Sequence, residues 1–525
     1  MNKIIKSALY ASIMVLAVAC TDKFEEYNTE PIGVTMEILK QDNNYIGILF
    51  PPLQQMIYCN YNWGWGVNWP FQVMQNLNAD IFSGYMASAT DFAGGVNNQT
   101  YALNAGWNDS AWDYNYGYGL PNTTRITTRC QEEYEVFSHF DAINKILKVM
   151  TVSRLSDQYG PVIYTHFGES KTGGTYDSAQ DAYKAFFADL KEAVAMLDTY
   201  TKANPGFIPF GKFDCAYGGD YTKWMKLANT LRLRLAMRIV KYDAAWAKTE
   251  AEAAITAPQG IITSNDESFT ISGLGYFHPL AALVGWTDIS ISANMESILG
   301  GYDDSRFGKM ATGNKGVRSG IPNLSDFDYK PLISYPSMKT SDAAILLMLA
   351  EAYFLRAEGV LRGWNMGGGT AKSLYEAGIT ASFEQWGASI GDYLNSDNVP
   401  ADFVDQLQPA IASSPAVSKV SPKWDDAASD EVKLEKIITQ KWIAGFPEGI
   451  NAWSEWRRTG YPKLFPIVKN DSQGAIPTEL GVRRLPFSSA EKSGNAEGYA
   501  DAVQKLGGQD TGATRIFWDI DKPNF

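Results

Sequence analysis

The sequence predicts an all-α protein in the main, with repeat-like helix pairs forming a scaffold under a loop-rich face. Three observations carry that expectation. Long stretches place apolar residues at helical spacing, and small alanines recur between bulky residues within them. The segments between these stretches are rich in Asn, Gly and aromatic residues and have no regular period.

The chain begins with the pattern of an export signal. Lys3 and Lys6 precede the apolar run Ile13-Met14-Val15-Leu16-Ala17-Val18-Ala19, which meets Cys20. Residues 1–19 therefore read as a signal peptide and Cys20 as the lipidated new N-terminus. One departure is Ala17 where a lipobox usually has leucine, Leu16 standing one place early. The competing reading is an ordinary signal peptide cut nearby. Residues 20–40 are polar and acid-rich at first, as suits a tether, and residues 41–525 read as a single domain. No stretch after Cys20 approaches the ~18 apolar residues of a membrane span.

The helical elements follow in order. Tyr134 to Leu155 carries Phe137, Phe140, Ile143, Leu147 and Met150 at helical spacing, and Gly160-Pro161 ends it. Ala179 to Leu197, Tyr221 to Val240, Ala343 to Leu361, Lys372 to Trp386 and Glu431 to Phe446 complete the set. Trp224, Leu227, Ala228 and Leu231 have the spacing of the first helix of a tetratricopeptide repeat. Leu349-Ala350 followed by Tyr353 repeats the small-then-aromatic step, and Ala371 with Tyr375 resembles the start of a second helix. Alanine permits close approach of two helices while the large residues interdigitate. Repeat-like helices thus occupy about 134–255 and 343–446, and loop-rich insertions about 58–120 and 261–340.

Composition and motifs exclude several functions. The formal charge of −13 falls to −15 without Lys3 and Lys6, which argues against nucleic acid and its need for a basic footprint. Past Cys20 the cysteines are Cys59, Cys130 and Cys215, irregularly spaced and without CxxC, so a zinc site is not indicated. They read as buried thiols, with one disulfide left open. The chain has 3 histidines and no HExxH, and no EF-hand spacing, so no metal and no cofactor is assigned. Gly387-Ala388-Ser389-Ile390-Gly391 matches GxSxG, but a nucleophile elbow needs a preceding strand and a helical segment stands there instead. Paired carboxylates could serve a glycosidase, and Asp80, Asp109 and Asp113 lie nearest the aromatic loops. Bonding in turns or to ligand hydroxyls is the commoner role for such residues, and no catalytic residue is assigned.

Several stretches together resemble one family. They are Glu26-Tyr27-Asn28-Thr29-Glu30-Pro31, the helix Leu231 to Ile239, the helix Ala350 to Glu358, Ile438 to Ala444, Asn451 to Pro462, and the closing Ile516-Phe517-Trp518-Asp519. In these the chain resembles SusD/RagB-family outer-membrane lipoproteins of Bacteroidetes. The resemblance implies a non-catalytic, α-helical protein with a loop-rich ligand-binding face. It also implies attachment to the outer membrane through a lipid anchor, facing the cell exterior, and a SusC-like TonB-dependent transporter as partner. The implied ligand is a glycan or oligosaccharide, in some relatives a peptide. Trp442, Trp453, Trp456, Arg457 and Arg458 read as scaffold, the arginines bonding carboxylates such as Glu448 or Glu455.

The aromatic content, 13% with 15 Trp, places the expected ligand face. Trp63, Trp65 and Trp69 are expected to stack on sugar rings while Asn62, Asn68 and Asp80 bind hydroxyls. Tyr276, Phe277 and Trp286 are expected to complete the surface. The bland alternative is a local core under the loop. Two other functions stay open: a peptide-binding protein, and a surface glycoside hydrolase.

Overall fold

Most of the long apolar periods become helices whose first turns are closed by a side chain. Ser178 accepts from the Asp181 N–H, Asp220 from Thr222 and Lys223, and Asp243 from Trp246. Ser429 and Glu448 do the same for Val432 and Asn451. Each such cap contributes about 1 kcal/mol. These are features of a computed structural model, which describes residues 39–59, 69–170 and 173–525. The signal peptide, Cys20 and most of the tether lie outside the described residues.

The chain divides into two units at Ile48 and Leu49. In the first, Gln41–Asn43 and Asn44–Gly47 form two short helical turns. The second, Leu49–Phe525, carries the scaffold and the candidate site.

Four helix pairs build that scaffold. Tyr134–Tyr159 packs on Ala179–Ala203, Tyr221–Arg238 on Ala244–Thr256, Leu349–Leu361 on Ala371–Trp386, and Asp430–Gly445 on Gly449–Thr459. The small residues do what their spacing implies. Ala228 and Ala350 are buried with Trp224, Leu227 and Leu231. Gly378 lets two helices touch, since a Cβ there would lie 2.7 Å from the Phe354 ring. The mainly helical, paired architecture is that expected from the sequence.

Buried charges join the pairs to one another. Arg234 meets Glu351 at 2.6 Å, Arg458 meets Glu358 at 2.7 Å and Glu455 at 2.6 Å, and Arg238 reaches Glu455 at 3.2 Å. Lys441 lies between Glu351 at 3.5 Å and Glu455 at 3.2 Å. Arg458 therefore bonds Glu455 as expected, but Glu448 pairs instead with Arg154 at 2.6 Å. Arg457 takes no carboxylate among the described residues: it donates to the Arg483 carbonyl at 2.7 Å and stacks on Trp453 at 3.8 Å.

Two expectations need correction. The segment from Ala343 is not helical throughout, because Ala344–Leu347 forms a strand before the helix starts at Leu349. This strand pairs antiparallel with Phe269–Ile271. A short apolar run such as Ile345-Leu346-Leu347 suits either element, and the extended backbone of Met348 separates the two. The stretch 58–120 is also more helical than its composition implies. Trp69–Phe71 continues into a π-helical segment, Gln72–Asp80, and further turns span Ala105–Asn108, Ser110–Tyr114 and Asn115–Gly119. All of Gln72–Asp80 is buried, with Gln72, Gln75, Asn76 and Asn78 among Val73, Met74 and Leu77, so hydrophobicity shows no period there.

A second two-stranded ladder matters for the site. Met86–Ser88 pairs antiparallel with Ile289–Ile291, with Met86 opposite Ile291 and Ser88 opposite Ile289. It ties the two insertions to each other. The three described cysteines, Cys59, Cys130 and Cys215, are buried free thiols.

Candidate functional site

The site is built outward from Tyr58. This buried ring packs on Phe71 with centroids 5.2 Å apart and on His278 at the same separation. Tyr276 stands edge-on to His278 at 6.4 Å. The Tyr58 and Tyr276 hydroxyls and Nδ1 of His278 are buried without a hydrogen-bond partner among the described residues. Burial holds the His278 imidazole down at about 4 and pushes both tyrosines well above their ordinary values. At neutral pH this layer is therefore uncharged.

Exposed rings lie on the elements that leave it. Trp69 is 55% exposed and meets Tyr114 edge-to-face at 6.1 Å. Tyr114 stacks on Tyr118 at 5.8 Å, and Tyr118 is exposed. The helix Pro279–Trp286 follows His278 directly and packs against the segment that starts at Trp69. It ends at Trp286, which is 40% exposed, where Thr287 takes a left-handed turn. Leu274 and Phe277 are exposed just before it, and the Leu274 carbonyl accepts from Gln55 at 3.0 Å. Large exposed aromatic surface drawn from two insertions can stack on the apolar face of a ligand ring.

The structure distributes the expected residues unevenly. Trp69 and Trp286 are at the surface on elements in contact. Tyr276 belongs to the buried layer beneath. Asp80 is fully buried, with Gln75 donating to one carboxylate oxygen and Asn76 to the other, each at 3.0 Å. It supports the fold at this position and presents no oxygen to the surface. Asn62, Trp63, Trp65 and Asn68 lie outside the described residues. Tyr114 and Tyr118 belong to the aromatic residues of the 58–120 stretch but not to the expected ligand residues, although their four-residue spacing is a usable signal. Asp109 and Asp113 hold the Ser489 N–H and the Ser488 hydroxyl, so both serve the start of the Ser489–Gly494 helix. Ser389 follows a helix that ends at Gly387, where an elbow has a strand, and only the short turn Tyr393–Asn395 comes after it, so the GxSxG match lacks an elbow's geometry.

A family model described as "SusD-like: Susd and RagB outer membrane lipoprotein" matches residues 26–519. The chain belongs to this family. Solved structures agree with the SusD-like assignment. A chitin-binding SusD homologue from Flavobacterium johnsoniae is 46% identical, with TM-score 0.87, covering 92% of this chain and 100% of its own. A SusD homologue from Bacteroides vulgatus is 41% identical at TM-score 0.87, covering 92% of this chain and 99% of its own. One from Bacteroides uniformis is 32% identical at TM-score 0.81, covering 91% and 99%. No curated protein matches the SusD-like chain. Among the described residues no helix is long and apolar enough to cross a membrane.

Proposed function

We propose that this SusD-like protein binds a glycan at the cell surface and delivers it to a SusC-like TonB-dependent transporter, without catalysing a reaction. In this reading Cys20 carries the lipid that holds the protein to the outer membrane, facing outward. The observation that carries the glycan assignment is the pair Trp69 and Trp286, two exposed indoles on contacting elements from separate insertions. Trp63, Trp65, Asn62 and Asn68, from the segment between Cys59 and Trp69, are assigned to the same face. The 46% identical relative described as chitin-binding supports a sugar with an acetamido group as the first ligand to try. Pyranose rings offer an apolar face to stack on indole, and the nearby hydroxyls and amides take the ring's polar edge.

Calorimetric titration with chitooligosaccharides, other glycans and peptides tests this. Saturable glycan binding is expected, and Trp69→Ala or Trp286→Ala each weakens it by roughly fivefold or more, about 1 kcal/mol. Circular dichroism should show both variants folded, since neither ring is buried. Binding to peptides alone would replace the glycan assignment.

A further inference from the structure

A second cavity lies away from the aromatic face and shares no residue with it. It encloses about 220 Å³ between the Gly449–Thr459 helix and the chain around Arg318, and Trp456 and Phe465 supply apolar wall. An adjoining cavity of about 390 Å³ meets it at Tyr101. Arg318 and Asn294 line the smaller of the two, and Asp471 lines the larger.

The lining of the smaller cavity includes a buried cation. Arg318 is only 7% exposed yet forms no ion pair among the described residues. Its Nη1 donates to the Ala412 carbonyl at 3.1 Å and its Nη2 to the Pro466 carbonyl. A guanidinium has about five N–H groups, so most of its donor capacity is left over. The buried Arg154, Arg234, Arg306, Arg458, Arg483 and Arg484 each meet a carboxylate, and Arg457, which like Arg318 meets none among the described residues, spends its donors on Ser454 and on the Arg483 carbonyl. Burial without a close counter-ion pulls the Arg318 pKa down to about 10. The other polar groups here can also donate: Asn294 engages its carbonyl oxygen with the Phe465 N–H, leaving its NH2 beside Gly84, and Tyr101 brings a hydroxyl. The lining contains one carboxylate, Glu479, which is exposed.

Arg318 lies over the Phe465 ring at 4.9 Å, and its remaining donors, with an apolar wall in the same cavity, suit an anion carried on a ring with an apolar face. We propose that this cavity is a second ligand site that takes a carboxylate-bearing sugar, a uronic acid, with its carboxylate toward Arg318 and Asn294. The choice of a sugar as carrier rests on the glycan reading above; the preference for a carboxylate rests on Arg318 alone.

Titrating the protein with sodium glucuronate, glucose and N-acetylleucine tests it. Glucuronate should bind and glucose should bind at least about tenfold more weakly, the expected worth of one charge-assisted bond. Arg318→Lys should weaken glucuronate about tenfold by losing the fork. Tyr101→Phe, which removes a single hydroxyl, should weaken it several-fold with an unchanged melting temperature. Trp69→Ala should leave it unaltered, so failure of the aromatic face and failure of this site are separable. No saturable heat with glucuronate, equal affinity for glucose, or binding untouched by both variants would overturn the site. N-acetylleucine binding in place of glucuronate would overturn the sugar.

Discussion

Asp80 lies beneath the aromatic face, and its surroundings make its charge conditional on pH. Burial raises its pKa to about 7, outweighing the hydrogen bonds from Asn76 and Gln75 that favour the anion. A carboxyl raised in the folded state holds a proton that the unfolded chain has already released. Its contribution is therefore best below the ordinary value of 3.8 and is lost as pH rises toward about 7. Across that window each pH unit costs up to about 1.4 kcal/mol. Asp80→Asn should remove this slope, so that urea midpoints of the variant and the parent converge at pH 4 and part at pH 8. Why the sequence placed Asp80 on the surface is clear: an Asp amid Asn and Gln looks solvated. Only the partners on the neighbouring turn reveal that this polar cluster is buried and largely self-satisfied.

At the scale of elements, the helix pairs were legible because alanine and glycine mark where backbones approach. Gly378 is the sharpest case, with the Phe354 ring 2.7 Å from where a Cβ would stand. Gly378→Val should destabilise the protein by about 1–3 kcal/mol through overpacking, read as a lowered urea midpoint with little change in helical content. The strand Ala344–Leu347 was not legible, since its apolar run continues without a break into the helix behind it. Nor was the helical nature of Gln72–Asp80, which is buried on every side and mixes amides with Val73, Met74 and Leu77. Periodicity detects an apolar face set against a polar one, and this segment has no exposed face to set the contrast.

For the whole molecule, the buried carboxylates decide the response to acid. Burial alone would raise Glu455, but Arg458, Lys441 and Arg238 hold it well below the usual carboxylate range. Glu351 and Glu358 are lowered by Arg234 and Arg458 in the same way, against the same burial. A depressed carboxylate contributes above its unfolded value, 4.5 for Glu, and the contribution drains away as pH falls below it. Acid titration followed by circular dichroism should thus show cooperative loss of structure below about pH 4. Glu455→Gln, which strands several cations in the core, should cost roughly 3–5 kcal/mol at neutral pH. The candidate face was legible only in part at this scale. Its ring-rich segments stand out in composition, but their meeting depends on a ladder between Met86–Ser88 and Ile289–Ile291, and no local pattern announces a partner so distant in the chain.

Tyr58 is locked between Phe71 and His278, and the exposed Trp69 and Trp286 stand on elements that pack against each other beside this layer. Surface rings of this kind are ornaments on a finished wall: exchanging one alters what the wall presents and leaves the masonry under it intact. Recognition and folding are then carried by different side chains, so a change in the first places little demand on the second.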